Sequence, residues 1–183
     1  MKICIFGSAS DLIDRSYIEA GERIGHELAS HGHSLYYGGG TRGMMGALAR
    51  GFKSAGGHIT GVVPNFFKEG RYEELFLDND VTIYTEDIAE RLRIMESESD
   101  AFLVFPGGAG TYEEFFKILV SISLDRHSKP LAIMNLENYF DPLLEMMEHS
   151  RKEHFISDNS MQNFRVFTVD QLSELEEFFE SSI

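Results

Sequence analysis

The chain has 183 residues, enough to bury a proper hydrophobic core, and we expect a single domain over residues 1–183. Apolar residues make up 43% of the sequence, and no apolar run approaches the roughly 18–20 residues that cross a bilayer, so we expect no membrane association. The formal net charge of −14 disfavours nucleic acid as a partner, because a nucleic-acid binder needs a basic surface.

The start of the chain predicts a strand, a polar loop and a helix. Lys2–Gly7 is a short apolar run that ends in Gly-Ser, and the amphipathic stretch beyond it ends near Gly32. Cys4, the single cysteine, forms no intrachain disulfide and is most simply a small buried hydrophobe. Because the first ten residues hold one lysine and too short an apolar stretch for a secretory signal, we expect a cytoplasmic protein.

A glycine-rich turn follows the next predicted strand, His33–Tyr37. Gly38, Gly40 and Gly43 match the G-x-G-x-x-G pattern of dinucleotide-binding turns, but Val63 stands where that pattern expects an acid for the ribose. The pattern is therefore weak support for NAD. The chain also lacks the Gly-Lys-Ser/Thr ending of a P-loop, and its histidines show no metal-ligand spacing, so we expect neither a cofactor nor a metal.

The middle of the chain predicts two further strands, a long connection and a helix. The strands are His58–Pro64 and Val81–Tyr84, and the connection Asn65–Asn79 carries the acidic pair Glu73 and Glu74. The helix runs to about Ser99. It is predicted to be capped by Thr85, with Glu86 and Asp87 in its first turn. A connection this long is often functional.

Arg91 falls on the inward-facing side of that helix. The other residues of this side are Ile88, Leu92, Met95 and Ser99. A charged group on an inward face needs a partner or a ligand, because burying an uncompensated charge is costly. The alternative is an ordinary ion pair with Asp87 one turn earlier, with the long side chain of Arg91 reaching water.

The segment Ala101–Phe116, AFLVFPGGAGTYEEFF, predicts a strand, a tight turn and a helix. The glycines after Pro106 let the backbone approach a ligand, and the free N–H groups and dipole at the helix start favour an anion. We therefore expect a phosphate there. The alternative is that the glycines only connect strand to helix, and that Thr111 and Glu114 form a T-x-x-E capping box.

The remaining segments continue the alternation of strands and helices. They are a strand at Pro130–Asn135, a helix near Tyr139–His149, a strand at Phe164–Val169 and an acidic amphipathic helix to the end. This order predicts a Rossmann-like α/β fold, with a doubly wound, mostly parallel sheet and helices on both faces. Ligands of such sheets lie at the carboxyl ends of the strands, so the two glycine-rich turns are expected to line one crevice.

The segment PGGAGTYEE, Pro106–Glu114, resembles the P-G-G-x-G-T-x-x-E signature of the Lonely Guy (LOG) family, nucleotide phosphoribohydrolases once described as lysine decarboxylases. The resemblance extends to FGSAS near the start, YYGGGTRGMMG at 36–46, GGHITGVVP at 56–64, DAFLVFPGG at 100–108 and HSKPLAIMN at 127–135. A second family motif, M-H-x-R-K, corresponds to IAERL at Ile88–Leu92. Arg91 is retained there, whereas Ile88, Ala89 and Leu92 replace the family's Met, His and Lys.

The resemblance implies a site. It implies Arg91 and Glu114 as catalytic residues. The implied substrate-binding residues are Ser8, Gly39, Gly40, Gly107, Gly108, Ala109, Gly110, Thr111 and Glu113. It also implies a homodimer.

The function implied is hydrolysis of the N-glycosidic bond of a nucleoside 5′-monophosphate, releasing free base and ribose 5-phosphate. AMP, or an N6-modified AMP of the cytokinin riboside type, is the expected small-molecule partner. A carboxylate beside the ribose suits this chemistry, since bond cleavage develops positive charge on the sugar. The alternative is a non-catalytic nucleotide sensor or carrier that keeps the phosphate site, which the altered second motif would permit. Lysine decarboxylation is disfavoured, because no lysine lies in a context that indicates a Schiff-base site.

Overall fold

The computed structural model describes residues 1–69 and 74–182, in which seven strands alternate with helices. The strands are β1 (Lys2–Phe6), β2 (Ser34–Tyr37), β3 (Ile59–Pro64), β4 (Val81–Thr85), β5 (Ala101–Val104), β6 (Leu131–Met134) and β7 (Arg165–Phe167). The helices are α1 (Arg15–Ser30), α2 (Gly43–Ser54), α3 (Ile88–Glu98), α4 (Ala109–Ser123), α5 (Asp141–Lys152), α6 (Asp158–Gln162) and α7 (Leu172–Glu180). Short 3-10 turns cover Asn65–Glu69, Leu136–Asn138 and Val169–Gln171.

The strands form one sheet in the order β4-β3-β2-β1-β5-β6-β7, and every neighbouring pair is parallel. The chain builds outward from β1 to β4 on one side, then returns to place β5 on the other side of β1. This confirms the predicted doubly wound α/β fold. The order switches between β1 and β5, which is where sheets of this type bind ligands.

The sheet is covered on both faces, so its central strands are apolar along their whole length. All four residues of β5 and all four of β6 are buried. On one face α1, α2 and α7 pack a cluster that includes Ile24, Phe52 and Leu175. On the other face α3, α4 and α5 pack a second cluster, with Met95 and Phe115 among its members. None of the helices in the described ranges is long and apolar enough to cross a membrane.

One predicted helix start is wrong, and so is the capping alternative for the helix after β5. Helix α3 is capped by Asp87, whose carboxylate accepts the Glu90 N–H at 2.8 Å, whereas Thr85 is the last residue of β4. Helix α4 is capped by Gly108, without a side-chain hydrogen bond, so Thr111 lies inside the first turn. The alternative of a Thr111–Glu114 capping box is therefore wrong, because the helix begins before both residues.

The predicted connection Asn65–Asn79 is described only in part. Residues 70–73, which include Glu73, lie outside the described residues, whereas Glu74 lies within them. Helix α6 was not predicted from the sequence, because its five residues are too few to show a helical period.

Candidate active site

A cleft of about 340 Å³ lies at the carboxyl ends of β1 and β5, where the strand order switches. Its lining residues are Gly7, Ser8, Ala9, Ser10, Met45, Phe67, Arg91, Gly108, Gly110, Thr111 and Glu114. A larger cavity of about 550 Å³ lies between α1 and the turn after β6, and it contains neither Arg91 nor Glu114. We take the smaller cleft as the candidate site, because it joins an ion pair to the start of a helix.

Arg91 and Glu114 form an ion pair at the wall of this cleft. Arg91 Nη1 donates to Glu114 Oε1 at 3.1 Å, and the two side chains are only 11% and 10% exposed. Arg91 Nε also donates to the Val62 carbonyl at 3.1 Å, which fixes the plane of the guanidinium. The alternative of an exposed Asp87–Arg91 pair is wrong, since Asp87 caps α3 and the Arg91 guanidinium turns inward to Glu114.

The glycine-rich turn after β2 packs against the Arg91 guanidinium at Gly38. A Cβ at Gly38 would strike the Arg91 guanidinium, so a side chain there would force the guanidinium to move. Gly39 has a φ of +82°, and its carbonyl accepts the Phe76 N–H at 2.9 Å. Gly40 pairs with Leu75 in an isolated antiparallel bridge. The structure thus places Gly39 and Gly40 in backbone pairing, outside the cleft lining, whereas sequence reasoning missed the contact of Gly38.

The N-terminus of α2 is occupied by the protein's own groups. The Gly43 N–H donates to Asp11 Oδ1 at 3.1 Å, and the Met45 N–H donates to the Ser8 carbonyl at 3.1 Å. The carboxylate of Asp11 therefore takes the position that an anion prefers at a helix start. Although both glycine-rich turns lie at carboxyl ends of strands, this one contributes only Met45 to the cleft.

The start of α4 offers backbone donors to the cleft. The first N–H groups of a helix have no acceptor within it, and the helix dipole makes this end favourable for an anion. In α4 these are the N–H groups of Ala109, Gly110 and Thr111. The Tyr112 N–H makes the first hydrogen bond of the helix, to the Gly108 carbonyl at 3.1 Å. Gly108 and Gly110 border open space, where a Cβ would meet nothing within 4 Å. The start of α4 can therefore surround a small anion such as a phosphate.

The structure brings part of the predicted set together. The predicted residues that line the cleft are Ser8, Arg91, Gly108, Gly110, Thr111 and Glu114. The predicted residues outside the lining are Gly39, Gly40, Gly107, Ala109 and Glu113. Gly107 is buried below the turn, whereas Ala109 and Glu113 are exposed beside it.

Five lining residues were missed from the sequence: Gly7, Ala9, Ser10, Met45 and Phe67. Ser10 lies in the loop after β1, and the position of that loop at a strand's carboxyl end was the available signal.

The altered second motif contributes Arg91 alone to the cleft. Leu92, which stands where the family has Lys, is buried at 7% exposure, and Ala89 is exposed. Neither residue lines the cleft, nor does Ile88. The described part of α3 therefore brings one positive charge to the site, and that charge faces Glu114.

Cys4 lies in β1 and is fully buried, which confirms the prediction of a small buried hydrophobe. Burial, and after it the negative charge of Glu114, raises the pKa of the Cys4 thiol well above its usual range. The thiol is therefore neutral at physiological pH and unsuited to act as a nucleophile.

Solved structures share this fold over nearly the whole chain. The molybdenum cofactor carrier protein of Chlamydomonas reinhardtii matches with a TM-score of 0.69 and 20% identity, covering 98% of each chain. The molybdenum cofactor binding protein of the phototrophic bacterium Rippkaea orientalis matches with a TM-score of 0.68 and 21% identity, covering 96% of this chain and 94% of that one. At this level of identity the likeness shows the fold alone.

Sequence relatives are more informative. LOGL5 of Oryza sativa subsp. japonica, named a probable cytokinin riboside 5′-monophosphate phosphoribohydrolase, is 36% identical over 158 residues, which are 85% of this chain and 63% of LOGL5. LOG4 of Arabidopsis thaliana, named a cytokinin riboside 5′-monophosphate phosphoribohydrolase, is 32% identical over 168 residues, which are 88% of this chain and 74% of LOG4. The family model described as "Possible lysine decarboxylase" matches residues 45–178. Because that match covers most of the chain and agrees with relatives of this identity, the chain belongs to the LOG family.

Proposed function

We propose that the protein hydrolyses the N-glycosidic bond of a nucleoside 5′-monophosphate, with AMP or an N6-modified AMP as substrate. The observation that carries this proposal is the nearly buried Arg91–Glu114 pair beside the first turn of α4. The first turn of α4 offers donors for a phosphate, and Glu114 offers a carboxylate for the sugar. The names of the LOG relatives support the same reaction class.

In this proposal the 5′-phosphate lies against the first turn of α4. The N–H groups at the helix start and the hydroxyl groups of Ser8 and Thr111 donate to its oxygens. Among the described residues, the cleft lining holds one arginine, and it is already paired with Glu114, so the helix start supplies most of the attraction. A monophosphate suits such a site, because its small charge needs no additional cation.

Glu114 is assigned to the ribose. As the C1′–N bond breaks, positive charge develops on the sugar, and a carboxylate beside it stabilises this state or accepts a proton from the attacking water. The water oxygen bonds to C1′, and the base leaves with a proton. Arg91 orients the carboxylate through the Nη1 to Oε1 contact of 3.1 Å.

The base is assigned to the apolar part of the cleft, formed by Met45 and Phe67. An aromatic ring and a thioether favour contact with the flat face of a purine. Since α3 brings no lysine to the site, contact with the base depends more on these apolar side chains than in a protein with the full second motif.

Incubation with AMP, and separately with N6-modified AMP, tests the proposal. We expect chromatography to show free base and ribose 5-phosphate, and much slower release from adenosine, which lacks the phosphate. No base release from either monophosphate would contradict the proposal.

The second candidate is a non-catalytic nucleotide-binding protein. The observation that favours it is the replacement of the second motif's Met, His and Lys by Ile88, Ala89 and Leu92, none of which lines the cleft. Calorimetric binding of AMP without base release would select this candidate.

A further inference from the structure

Tyr139 contacts the turn between β5 and α4 from outside the cleft. This residue lies in the turn between β6 and α5, and it is absent from the cleft lining. Its hydroxyl donates to the Gly107 carbonyl at 2.7 Å. That hydrogen bond joins two segments 32 residues apart, and its length is typical of a well-formed hydrogen bond between oxygens.

The direction of this hydrogen bond fixes the direction of a neighbouring donor. In a planar trans peptide the C=O and the following N–H point to opposite sides. When Tyr139 holds the Gly107 carbonyl outside the cleft, the Gly108 N–H must point the opposite way. Gly108 lines the cleft, so this N–H is aimed into it.

This peptide needs an external restraint. It joins two glycines, which have no Cβ to restrict the backbone torsions. Gly107 packs closely against Thr111 and Ser8, whereas the Gly108 side of the peptide borders open space. No packing holds Gly108, since a Cβ there would meet nothing within 4 Å. The peptide before it is held differently, because the Pro106 carbonyl accepts the Ser8 N–H at 3.1 Å.

Rotation of the Gly107–Gly108 peptide would harm anion binding. It would turn the Gly107 carbonyl oxygen towards the cleft and the Gly108 N–H away from it. A donor for phosphate would be replaced by a partial negative charge, which repels phosphate.

We propose that Tyr139 is a positioning residue that locks the Gly107–Gly108 peptide with its N–H facing the phosphate site. The inference rests on the proposed function, since it assigns a nucleotide phosphate to that site. Tyr139 acts through the backbone and does not contact the ligand.

The surroundings of Tyr139 favour its role as a donor. Tyr112 donates its hydroxyl hydrogen to the Tyr139 oxygen at 3.3 Å, which leaves the Tyr139 hydrogen for Gly107. The ring is held edge-on against Tyr17 and Phe140, with centroid distances of 6.3 and 5.1 Å. The hydrogen bond with Tyr112, and then burial, raises the pKa of Tyr139 to about 12. The hydroxyl therefore keeps its hydrogen at neutral pH.

Calorimetric binding of AMP and of adenosine to Tyr139→Phe tests the inference. The variant keeps the ring contacts and loses the hydroxyl. We expect AMP to bind about tenfold more weakly, as for one hydrogen bond to a charged group, whereas adenosine binds as it does to the wild type. A structural defect alone would weaken both ligands.

Tyr17→Phe is the matched control, because Tyr17 packs against Tyr139 and its hydroxyl makes no hydrogen bond within the described part of the chain. We expect it to bind both ligands as the wild type does. Unchanged AMP affinity in Tyr139→Phe, or equal weakening of AMP and adenosine, would overturn the positioning role alone. Failure of the wild type to bind AMP would overturn both the proposed function and the positioning role of Tyr139.

A second measurement needs no variant. In nitrogen-15 spectra of the wild-type protein, addition of inorganic phosphate should shift the Gly108 amide signal strongly. A Gly108 signal that stays unchanged while phosphate binds would overturn the inference.

Discussion

Arg91 has three neighbours that together fix its guanidinium. Glu114 accepts from Nη1, the Val62 carbonyl accepts from Nε, and Gly38 leaves the space that the remaining nitrogen needs. The planar group can serve this geometry because its donors are arranged in a rigid fork. A cation with a different shape would satisfy the carboxylate without reaching the carbonyl.

Arg91→Ala should lower base release by about a hundredfold or more, as for loss of a buried charged donor at a reacting centre. It should also destabilise the fold by about 3–5 kcal/mol, because the nearly buried carboxylate of Glu114 loses the positive charge of Arg91. Arg91→Lys should restore stability better than turnover, since the fork is lost. Base release and urea unfolding measure the two effects.

Arg93→Ala is the matched control for this variant. Arg93 lies on the same helix, and its side chain is 70% exposed. Its Nη2 lies 3.7 Å from Glu90 Oε1, which is a weak ion pair. Its loss should leave base release unchanged and alter the free energy of unfolding by less than about 0.5 kcal/mol. Equal turnover in Arg91→Ala and Arg93→Ala would remove Arg91 from the site.

At the scale of elements, two helix starts meet the loop after β1 in different ways. The start of α2 is closed by Asp11, whose carboxylate accepts the Gly43 N–H and lies 3.5 Å from Arg42. The start of α4 carries a glycine at its cap, and no side chain in the described ranges caps it. One sequence pattern, a glycine-rich turn between strand and helix, therefore has two outcomes in the fold.

Asp11→Ala should destabilise the protein by about 1 kcal/mol, because the Gly43 N–H loses the oxygen that caps α2. Asp11→Asn should cost less, since its amide oxygen still accepts that hydrogen bond. Urea unfolding of both variants measures the difference. Equal losses in the two would show that the ion pair with Arg42, and not the cap, carries the effect.

The sequence predicts the order of the elements because apolar runs and glycine-rich turns are local signals. It predicts the start of α3 wrongly because Thr85 and Asp87 are both good caps. The choice depends on where β4 ends, and that is set by the pairing of Thr85 with Pro64 on β3.

Local sequence signals also fail to show the tertiary contacts of the site. The pattern T-x-x-E at Thr111–Glu114 fits a local cap, but Glu114 is paired with Arg91, which lies 23 residues away. The resemblance to the LOG family identified Arg91 as the residue that acts with Glu114, whereas the helical period of the sequence could not show this pairing. Gly39 and Gly40 are held by the segment around Leu75, a tertiary pairing that no local pattern shows.

At the scale of the whole molecule, buried histidine makes stability depend on pH. Burial, and after it the positive N-terminal amine, lowers the pKa of His33. Below about pH 6.5 the unfolded chain therefore binds a proton that the folded chain resists, so stability falls as the pH falls. His31 has the opposite shift, a pKa raised by its hydrogen bond to Glu176, but it is half exposed and solvent weakens its effect.

His33→Gln should reduce the loss of stability between about pH 7 and about pH 5, because the titrating group is removed. Urea unfolding of the variant and the wild type at both pH values measures it. Parallel losses in the two proteins would assign the pH dependence to other groups.

We propose that two copies of the chain pair through the C-terminal end of α4, which is capped by Leu124. Val120 and Leu124 lie one helical turn apart and are 53% and 66% exposed, so they present an apolar face to a partner. Sedimentation at micromolar concentration should show a dimer, and Val120→Glu combined with Leu124→Glu should give monomers. Leu12→Glu is the control, since Leu12 is exposed in the loop after β1. A monomeric wild type would reject the pairing.

The most direct test of the catalytic assignment measures AMP binding and base release in one preparation of Glu114→Gln. The amide keeps an oxygen for Arg91 but cannot act as a base or stabilise positive charge on the ribose. We expect base release to fall by about a hundredfold or more, with AMP bound as by the wild type and the fold retained. Base release at the wild-type rate would contradict the assignment, and loss of AMP binding together with turnover would show that Glu114 serves binding instead.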